Sequence, residues 1–171
     1  YELEGKTIGV VGTGAIGTRV IEISRAFGMD IIAYNRTFGK VKGVAYVSLE
    51  EVLRRADIVS LHVPLTAETK GLIGKKELDM MKPSAILVNT ARGPVVDSRA
   101  LSEALKQGEI AGAAIDVFDT EPPLDGKDPL LTAPNTVVTP HVAFATKESM
   151  VKRAIIEFDN IASFIRENLQ S

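Results

Sequence analysis

The sequence predicts an α/β fold in which a doubly wound parallel sheet carries helices on both faces. Three observations support this prediction. Short apolar runs of strand length alternate with helical patterns along the 171 residues. A glycine-rich turn joins the first apolar run to the first helix, and polar residues follow most of the later runs. Strands that alternate with helices are joined by crossovers, which makes the strands parallel.

The stretch Thr7–Arg36 contains the first strand, turn, helix and second strand. Ile8–Val11 is an apolar run typical of a strand buried on both faces, and Ile31–Tyr34 is a second such run. Gly28 is placed to end the intervening helix. The apolar residues with helical spacing are Ile16, Val20 and Ile21.

The turn after the first strand has the pattern G-x-G-x-x-G, formed by Gly12, Gly14 and Gly17. Gly12 permits the tight turn, Gly14 lets a pyrophosphate approach the backbone, and Gly17 lets the helix pack closely. The helix N-terminus offers unpaired N–H groups and partial positive charge to the phosphates. Because both strands and the helix accompany these glycines, we predict dinucleotide binding. A glycine-rich turn in another α/β domain, such as a methyltransferase, is the alternative.

Five further strands complete the predicted sheet. They are Val44–Val47, Ile58–Leu61, Ala85–Val88, Ala113–Val117 and Thr136–Thr139. The last two are separated by the loop Asp119–Pro134, which is rich in proline and aspartate. Because these strands alternate with helices, the sheet is predicted to be parallel and doubly wound.

Helices fill the intervals between these strands. Ser48 and Glu51 form a capping box ahead of the helix LEEVLRRA. Glu77–Met81 is helical and closed by Pro83, while Asp97 or Ser98 caps a helix that runs through Lys106 to Gly108. A long amphipathic helix ends the chain, with Val151, Ala154, Ile155, Phe158, Ile161, Ala162 and Ile165 on one face.

Polar side chains follow the predicted strands at the points where ligands bind in open α/β sheets. These residues are Asn35, His62, Arg92, Asp116 and His141. Because the strands are parallel, their carboxyl ends lie along one edge of the sheet. The sequence therefore predicts a binding site at this edge.

Composition excludes several classes of function. The formal net charge of −2 gives no electrostatic basis for binding nucleic acid or an anionic membrane. The absence of cysteine excludes disulfides and zinc–thiolate sites, and we expect no metal. No apolar run approaches the roughly 20 residues of a membrane span. The N-terminal YELEGKT lacks a signal-peptide pattern, so we expect a cytoplasmic protein.

Five segments carry a family resemblance: LEGKTIGVVGTGAIG, LHVPLTAETKGLI, MKPSAILVNTARGPVVD, GAAIDVFDTEPP and TPHVAFAT. In this order they closely resemble the D-isomer-specific 2-hydroxyacid dehydrogenases, from Leu3 to about Phe164. The resemblance implies an NAD(P)-binding Rossmann fold, hydride transfer between a nicotinamide and a small 2-oxo or 2-hydroxy acid, and a homodimer.

The resemblance also implies three catalytic residues: Arg92 in NTARG, Glu121 in DTEPP and His141 in TPH. In the family the histidine supplies the proton for the carbonyl oxygen, and the carboxylate favours the imidazolium and orients the ring. The arginine holds the substrate carboxylate bidentately and polarises the carbonyl.

Cofactor contacts are implied in the same way. Ala15 and Ile16 are expected at the pyrophosphate, and Val63, Pro64 and Thr69 along the adenosine or ribose. Thr90, Ala91, Asp116 and His141 are expected near the nicotinamide. His62, in the same loop as Pro64, is interpreted as structural.

The sequence departs from the family pattern in two respects. Asn35, followed by Arg36, replaces the acidic residue expected at the adenosine ribose, so NADP is possible beside NAD. The family also has a substrate domain, which we expect to be absent here. We expect residues 1–171 to form one dinucleotide-binding domain, with a core at about 5–145 and a C-terminal helix at 146–167.

Two interpretations of function follow. The first is the cofactor-binding domain of a D-2-hydroxyacid dehydrogenase, with negligible turnover in isolation. The second is a non-enzymatic NAD(H)-sensing module, because the same fold and the same three residues occur in transcriptional corepressors.

Overall fold

The computed structural model describes residues 2–37, 41–122, 124 and 126–168. Contacts divide the chain into two compact units, Tyr1–Pro140 and His141–Ser171. The strands are β1 (Thr7–Val11), β2 (Asp30–Tyr34), β3 (Ala45–Tyr46), β4 (Ile58–Leu61), β5 (Ile86–Asn89), β6 (Gly112–Ile115) and β7 (Thr136–Val138). The α-helices of the first unit are α1 (Ala15–Ala26), α2 (Leu49–Arg55), α3 (Lys75–Leu78) and α4 (Ser98–Gln107), with 3-10 turns at Gly93–Val95 and Pro129–Leu131.

The seven strands form one sheet in the order β3-β2-β1-β4-β5-β6-β7, and every neighbouring pair is parallel. The strand order reverses direction between β1 and β4, which leaves a crevice at their carboxyl ends. This architecture confirms the predicted doubly wound α/β fold.

The central strand β1 shows how the helices cover both faces of the sheet. Successive side chains of a strand point to opposite faces. Ile8 and Val10 belong to the apolar cluster that includes Ile21 of α1, whereas Val11 belongs to the larger cluster that includes Val52 of α2. Between them, a Cβ at Gly9 would lie 2.5 Å from Val52 Cγ1, so α2 packs directly on the strand backbone.

The predicted helix caps are confirmed. Ser48 Oγ accepts the N–H of Glu51 at 3.1 Å, and the Glu51 carboxylate accepts the N–H of Ser48 at 3.3 Å. Of the two candidate caps of α4, Asp97 and Ser98, the cap is Asp97. Its Oδ1 accepts two backbone N–H groups at 3.0 Å. Gly108 ends that helix in the left-handed conformation, with φ 69°.

Some predicted boundaries are wrong. The third strand is reduced to Ala45–Tyr46, and β6 ends at Ile115, so Asp116 follows the strand instead of lying within it. Helix α3 begins earlier than predicted because Gly74 is its N-cap, with the Glu77 carboxylate accepting the Gly74 N–H at 3.2 Å. It also ends earlier, at Leu78.

The buried face of α1 also differs from the prediction. The residues that point inward are Gly17, Ile21 and Ser24, whereas the side chain of Ile16 is 69% exposed and Ile23 is exposed as well. The reason is the close packing of Gly17 on the preceding turn, which rotates Ile16 away from the core. Apolar spacing alone cannot reveal this rotation, because glycine and serine contribute no apolar signal.

The second unit contains α5, Lys147–Asn168. Thr146 precedes the helix, and its Oγ1 accepts the N–H of Ser149 at 3.0 Å. No side chain of α5 is buried, including the predicted apolar face. Across the described residues, none of the helices has the length and apolar character needed to cross a membrane.

Candidate functional site

The glycine turn after β1 leaves no room for side chains at two of its three glycines. Gly12 has φ 97°, and a Cβ there would lie 2.6 Å from the carbonyl oxygen of His62. A Cβ at Gly17 would lie 2.0 Å from the carbonyl oxygen of Gly12. Both contacts are impossible for real atoms, so these glycines let α1, the turn and the end of β4 pack together.

Gly14 is different, because a Cβ at this position would meet nothing within 4 Å. Gly14 is the N-cap of α1 and provides no side-chain cap. Among the described residues, the structure shows no acceptor for the backbone N–H groups of Ala15, Ile16 and Gly17. Open space in front of three unpaired donors at a helix N-terminus is a cradle for a phosphate group.

The end of β2 is tied to the glycine turn by a polar network. Asn35 Oδ1 accepts the N–H of Thr13 at 3.4 Å, and Asn35 Nδ2 donates to the carbonyl oxygen of Thr37 at 2.7 Å. The Tyr46 hydroxyl lies 3.2 Å from Thr13 Oγ1, and Thr13 is buried. The side chain of Asn35 is half-buried and makes hydrogen bonds through both its oxygen and its nitrogen. The next residue, Arg36, is exposed.

The loop after β4 lies against the glycine turn. Val63 Cγ1 would lie 3.0 Å from a Cβ at Gly12. Further along, Thr69 Oγ1 donates to the carbonyl oxygen of Pro64 at 2.6 Å and accepts the N–H of Thr66 at 2.8 Å. These bonds close the segment from Pro64 to Thr69 into a compact turn.

His62 begins the same loop and makes structural contacts. The ring atom Nε2 lies 2.9 Å from Ser60 Oγ. The backbone N–H of His62 donates to the carbonyl oxygen of Val11 at 2.7 Å. Burial lowers the pKa of His62 below its ordinary value of 6.5. The ring is thus held neutral near pH 7, consistent with its interpretation as structural.

We expect His62 to make stability depend on pH. Because its pKa is lower in the folded state than in the unfolded state, the unfolded state binds the proton first as pH falls below about 7. The free energy of unfolding should therefore decrease on acidification from pH 7.5 to 5.5, by at most about 1.4 kcal/mol per pH unit for one proton. Urea titrations at several pH values give the free energy of unfolding of the chain and of His62→Gln. An equal dependence of this free energy on pH in the two proteins would contradict the prediction.

Arg92 is positioned by Asn89, the last residue of β5. The Asn89 side chain is 1% exposed; its Oδ1 accepts the N–H of Ala91 and its Nδ2 donates to the carbonyl oxygen of Arg92, both at 3.0 Å. The Asn89 carbonyl accepts the N–H of Asp116 at 3.0 Å. The exposed Arg92 side chain donates to the carbonyl oxygen of Ala91 at 2.6 Å. One buried amide thus shapes the turn that carries Thr90, Ala91 and Arg92.

The loop after β6 lies against the Arg92 turn. A Cβ at Gly93 would lie 2.0 Å from the carbonyl carbon of Phe118, so the two backbones are in direct contact. Glu121 is exposed, and its carboxylate accepts the N–H of Phe118. The structure thus brings the Arg92 and Glu121 loops together in the first unit.

Asp116 stands at the end of β6 with its side chain 3% exposed. Its Oδ1 accepts a hydrogen bond from the hydroxyl of Thr139, the residue that follows β7. This contact joins the carboxyl ends of the last two strands.

His141 belongs to the second unit. It has φ 54°, the left-handed conformation that is uncommon outside glycine. Its ring contacts Phe144 edge to face, with centroids 5.8 Å apart and an interplanar angle of 88°.

Three residues that shape the site were not predicted from the sequence. Asn89 positions Arg92, Thr13 links Asn35 to Tyr46, and Thr139 binds Asp116. In the sequence, each is a polar residue at the end of a strand or within the glycine turn. That position alone does not identify the residue to which its side chain hydrogen-bonds. In the described ranges, no group of three or more His, Cys, Asp or Glu residues is placed to hold a metal.

Comparison with known proteins agrees with this geometry. A family model described as "D-isomer specific 2-hydroxyacid dehydrogenase, NAD binding domain" matches residues 1–143. The glyoxylate reductase of Aeropyrum pernix is 50% identical over 167 residues, a match that covers 95% of this chain and 50% of that protein. The chain thus spans about half the length of such curated relatives.

Solved structures show the same similarity. The NAD-complexed D-isomer-specific 2-hydroxyacid dehydrogenase of Lactobacillus delbrueckii ssp. bulgaricus has a TM-score of 0.83 at 39% identity, covering 95% of this chain and 55% of that chain. An acyclic imino acid reductase in complex with NADPH and D-Arg has a TM-score of 0.90 at 37% identity, covering 98% and 53%.

These findings support the dehydrogenase interpretation over a methyltransferase or a corepressor-like module. The phosphate cradle at Gly14 suits the dinucleotide that the family binds. The chain therefore belongs to the D-isomer-specific 2-hydroxyacid dehydrogenases, as their NAD-binding domain.

Proposed function

We propose that this chain is the cofactor-binding part of an enzyme that transfers hydride between a nicotinamide and a D-2-hydroxy or 2-oxo acid. The observation that carries the proposal is the cradle at the N-terminus of α1, flanked by the loops of Asn35, Val63, Arg92 and Asp116 at the carboxyl ends of the parallel strands. The names of the relatives, which include glyoxylate reductase and glycerate dehydrogenase, support this substrate class.

The residues have the following proposed roles. Ala15, Ile16 and Gly17 donate backbone N–H groups to the pyrophosphate, and the bound nicotinamide supplies hydride chemistry. Arg92 binds the substrate carboxylate through its guanidinium. By the family resemblance, His141 donates a proton to the carbonyl oxygen during reduction, and Glu121 is the acidic residue of the same catalytic set.

Loss of the proposed proton donor should impair turnover and spare cofactor binding. In the full-length protein, His141→Gln should lower kcat for 2-oxo acid reduction by about 10²–10⁴-fold and leave the Kd for NADH within about twofold. The assay follows NADH and NADPH oxidation with glyoxylate, hydroxypyruvate and pyruvate.

The chain has two histidines, so His62→Gln is the matched control for this assay. It should retain turnover, because glutamine can keep a hydrogen bond to Ser60. Full activity of His141→Gln would refute the assignment.

We also propose that residues 1–171 alone bind NADH and show negligible turnover. Orientation of the substrate can account for roughly 7–11 kcal/mol of a barrier, and in the family the substrate domain contributes to that orientation.

The end of β2 favours acceptance of NADP beside NAD. A neutral amide at Asn35 does not repel a 2′-phosphate, and the exposed Arg36 can pair with it. The pKa of Glu68 in the β4 loop is lowered by its hydrogen bond with Thr66, by its own backbone and by the charge of Arg36. The charge of Arg36 therefore reaches Glu68 in the loop that follows β4.

Restoring an acid at this position should select against NADP. Asn35→Asp keeps an acceptor for the Thr13 N–H but places negative charge beside the ribose, so we expect NADPH affinity to fall by about tenfold or more, or about 1.4 kcal/mol. NADH affinity should change much less. Calorimetric titration with both cofactors measures the ratio of the Kd for NADPH to the Kd for NADH. Arg36→Gln should also weaken NADPH binding. An unchanged ratio in Asn35→Asp would mean that this residue does not face the ribose.

The family resemblance and the composition also carry expectations about assembly, cellular location and domain organisation. We propose that the protein forms a homodimer, is cytoplasmic, and uses residues 1–171 as one dinucleotide-binding domain with its core at about 5–145.

A further inference from the structure

The aromatic ring of Phe144 contacts two charged or titratable side chains within the second unit. His141 lies 5.8 Å away, centroid to centroid, with its ring plane at 88° to that of Phe144. Arg153 Cζ lies over the Phe144 ring, 5.8 Å from its centroid. Edge-to-face pairs and cation–π pairs at such distances are each attractive.

The backbone between His141 and Phe144 brings the two rings together. The N–H of Ala145 donates to the carbonyl oxygen of Val142 at 2.9 Å, which closes a turn around Phe144. His141, which immediately precedes this turn, has φ 54°, a conformation that costs a residue with a Cβ about 1–2 kcal/mol. A strained residue of this kind persists only where its surroundings hold it in place.

Helix α5 holds the other side of the stack. Arg153 Nε donates to Glu157 Oε1 at 2.8 Å, one turn further along the helix. This ion pair restricts the guanidinium, so Arg153 can rest on Phe144 with less loss of side-chain entropy. The side chains of Glu157, Arg153, Phe144 and His141 thus form a continuous chain of contacts from the helix to the imidazole.

We propose that Phe144 and Arg153 are positioning residues for His141, holding its imidazole in one rotamer. This inference rests on the proposed role of His141 as proton donor. A histidine free to rotate about χ1 and χ2 samples several orientations, and only one of them presents the donating nitrogen correctly. A shift of about 1 Å in a reacting group can cost up to about 10²-fold in rate.

Nuclear magnetic resonance tests the stack without any turnover. With only two histidines, the Cε1–H signals of the chain can be assigned with His62→Gln. The ring current of Phe144 should displace the His141 signal, and Phe144→Leu should abolish that displacement, whereas Phe144→Tyr should retain it. Arg153→Met should reduce it. Phe158→Leu, an exposed phenylalanine of α5, should leave it unchanged.

Kinetics of the full-length protein provide the functional readout. Phe144→Leu should lower kcat about tenfold or more, Phe144→Tyr should restore most of it, and the Kd for NADH should not change. An unaltered His141 signal in Phe144→Leu overturns the inference, whatever the turnover. An altered signal with normal kcat overturns the positioning role, provided that His141→Gln is inactive. Activity in His141→Gln instead refutes the proposed function, and the stack is then judged by the resonance shifts.

Discussion

Gly14→Val should abolish NADH binding while leaving the chain folded. A Cβ at Gly14 meets no protein atom within 4 Å, and its φ of −73° suits any residue. The added side chain therefore fills only the space that we propose for the pyrophosphate, in front of the N-terminus of α1. We expect the Kd for NADH to rise by at least about 100-fold, or about 2.7 kcal/mol, in calorimetric titration.

Gly74→Val is the matched control for this change. Gly74 is also a helix N-cap without a side-chain cap, and a Cβ there would make only ordinary contacts. Valine is a poor N-cap, so both variants should lose about 1 kcal/mol of unfolding free energy. NADH binding should survive in Gly74→Val. Unchanged affinity in a folded Gly14→Val would place the phosphates elsewhere.

Gly93→Ala should destabilise the first unit more than most single substitutions. A Cβ at Gly93 would lie 2.0 Å from the carbonyl carbon of Phe118, 2.1 Å from its oxygen and 2.6 Å from the N atom of Asp119. Backbone atoms cannot move aside as a flexible side chain can, so the two loops must separate. We expect a loss of about 3 kcal/mol or more of unfolding free energy, measured by urea denaturation.

Gly108→Ala separates this clash from the intrinsic cost of replacing a glycine. Gly108 has φ 69° and open space around it, so its substitution should cost only about 1–2 kcal/mol. A smaller loss in Gly93→Ala than in Gly108→Ala would mean that the Phe118 loop accommodates a methyl group. If Gly93→Ala folds, the turn of Arg92 should be displaced, which would weaken the substrate binding that we propose for Arg92.

The sequence predicted the parts of this fold that depend on local patterns. The glycine turn, the capping box at Ser48 and the Asp97 cap each follow from residues a few positions apart, and all three are present. The alternation of strands and helices also predicted the parallel sheet correctly.

Features that depend on contacts distant in sequence could not be predicted in the same way. The boundaries of α3 depend on Gly74 as an N-cap, and the rotation of α1 depends on contact between Gly17 and Gly12. Catalytic roles for Arg92, Glu121 and His141 come from the family resemblance and remain predictions. Asn89 was missed because its importance lies in two hydrogen bonds across one turn, which the residue type alone does not reveal.

The position of β1 has a consequence for how the chain reaches its native state. Of the seven strands, β1 is synthesised first, yet it lies at the centre of the sheet, hydrogen-bonded to β2 on one edge and β4 on the other. Ile8 pairs with Ile58, so one edge of the nascent strand stays unpaired until β4 has been synthesised. Such non-local pairing slows folding and exposes an aggregation-prone edge during synthesis. Once the sheet closes, β1 should have the slowest amide exchange in the protein, because its release requires opening the sheet at its centre.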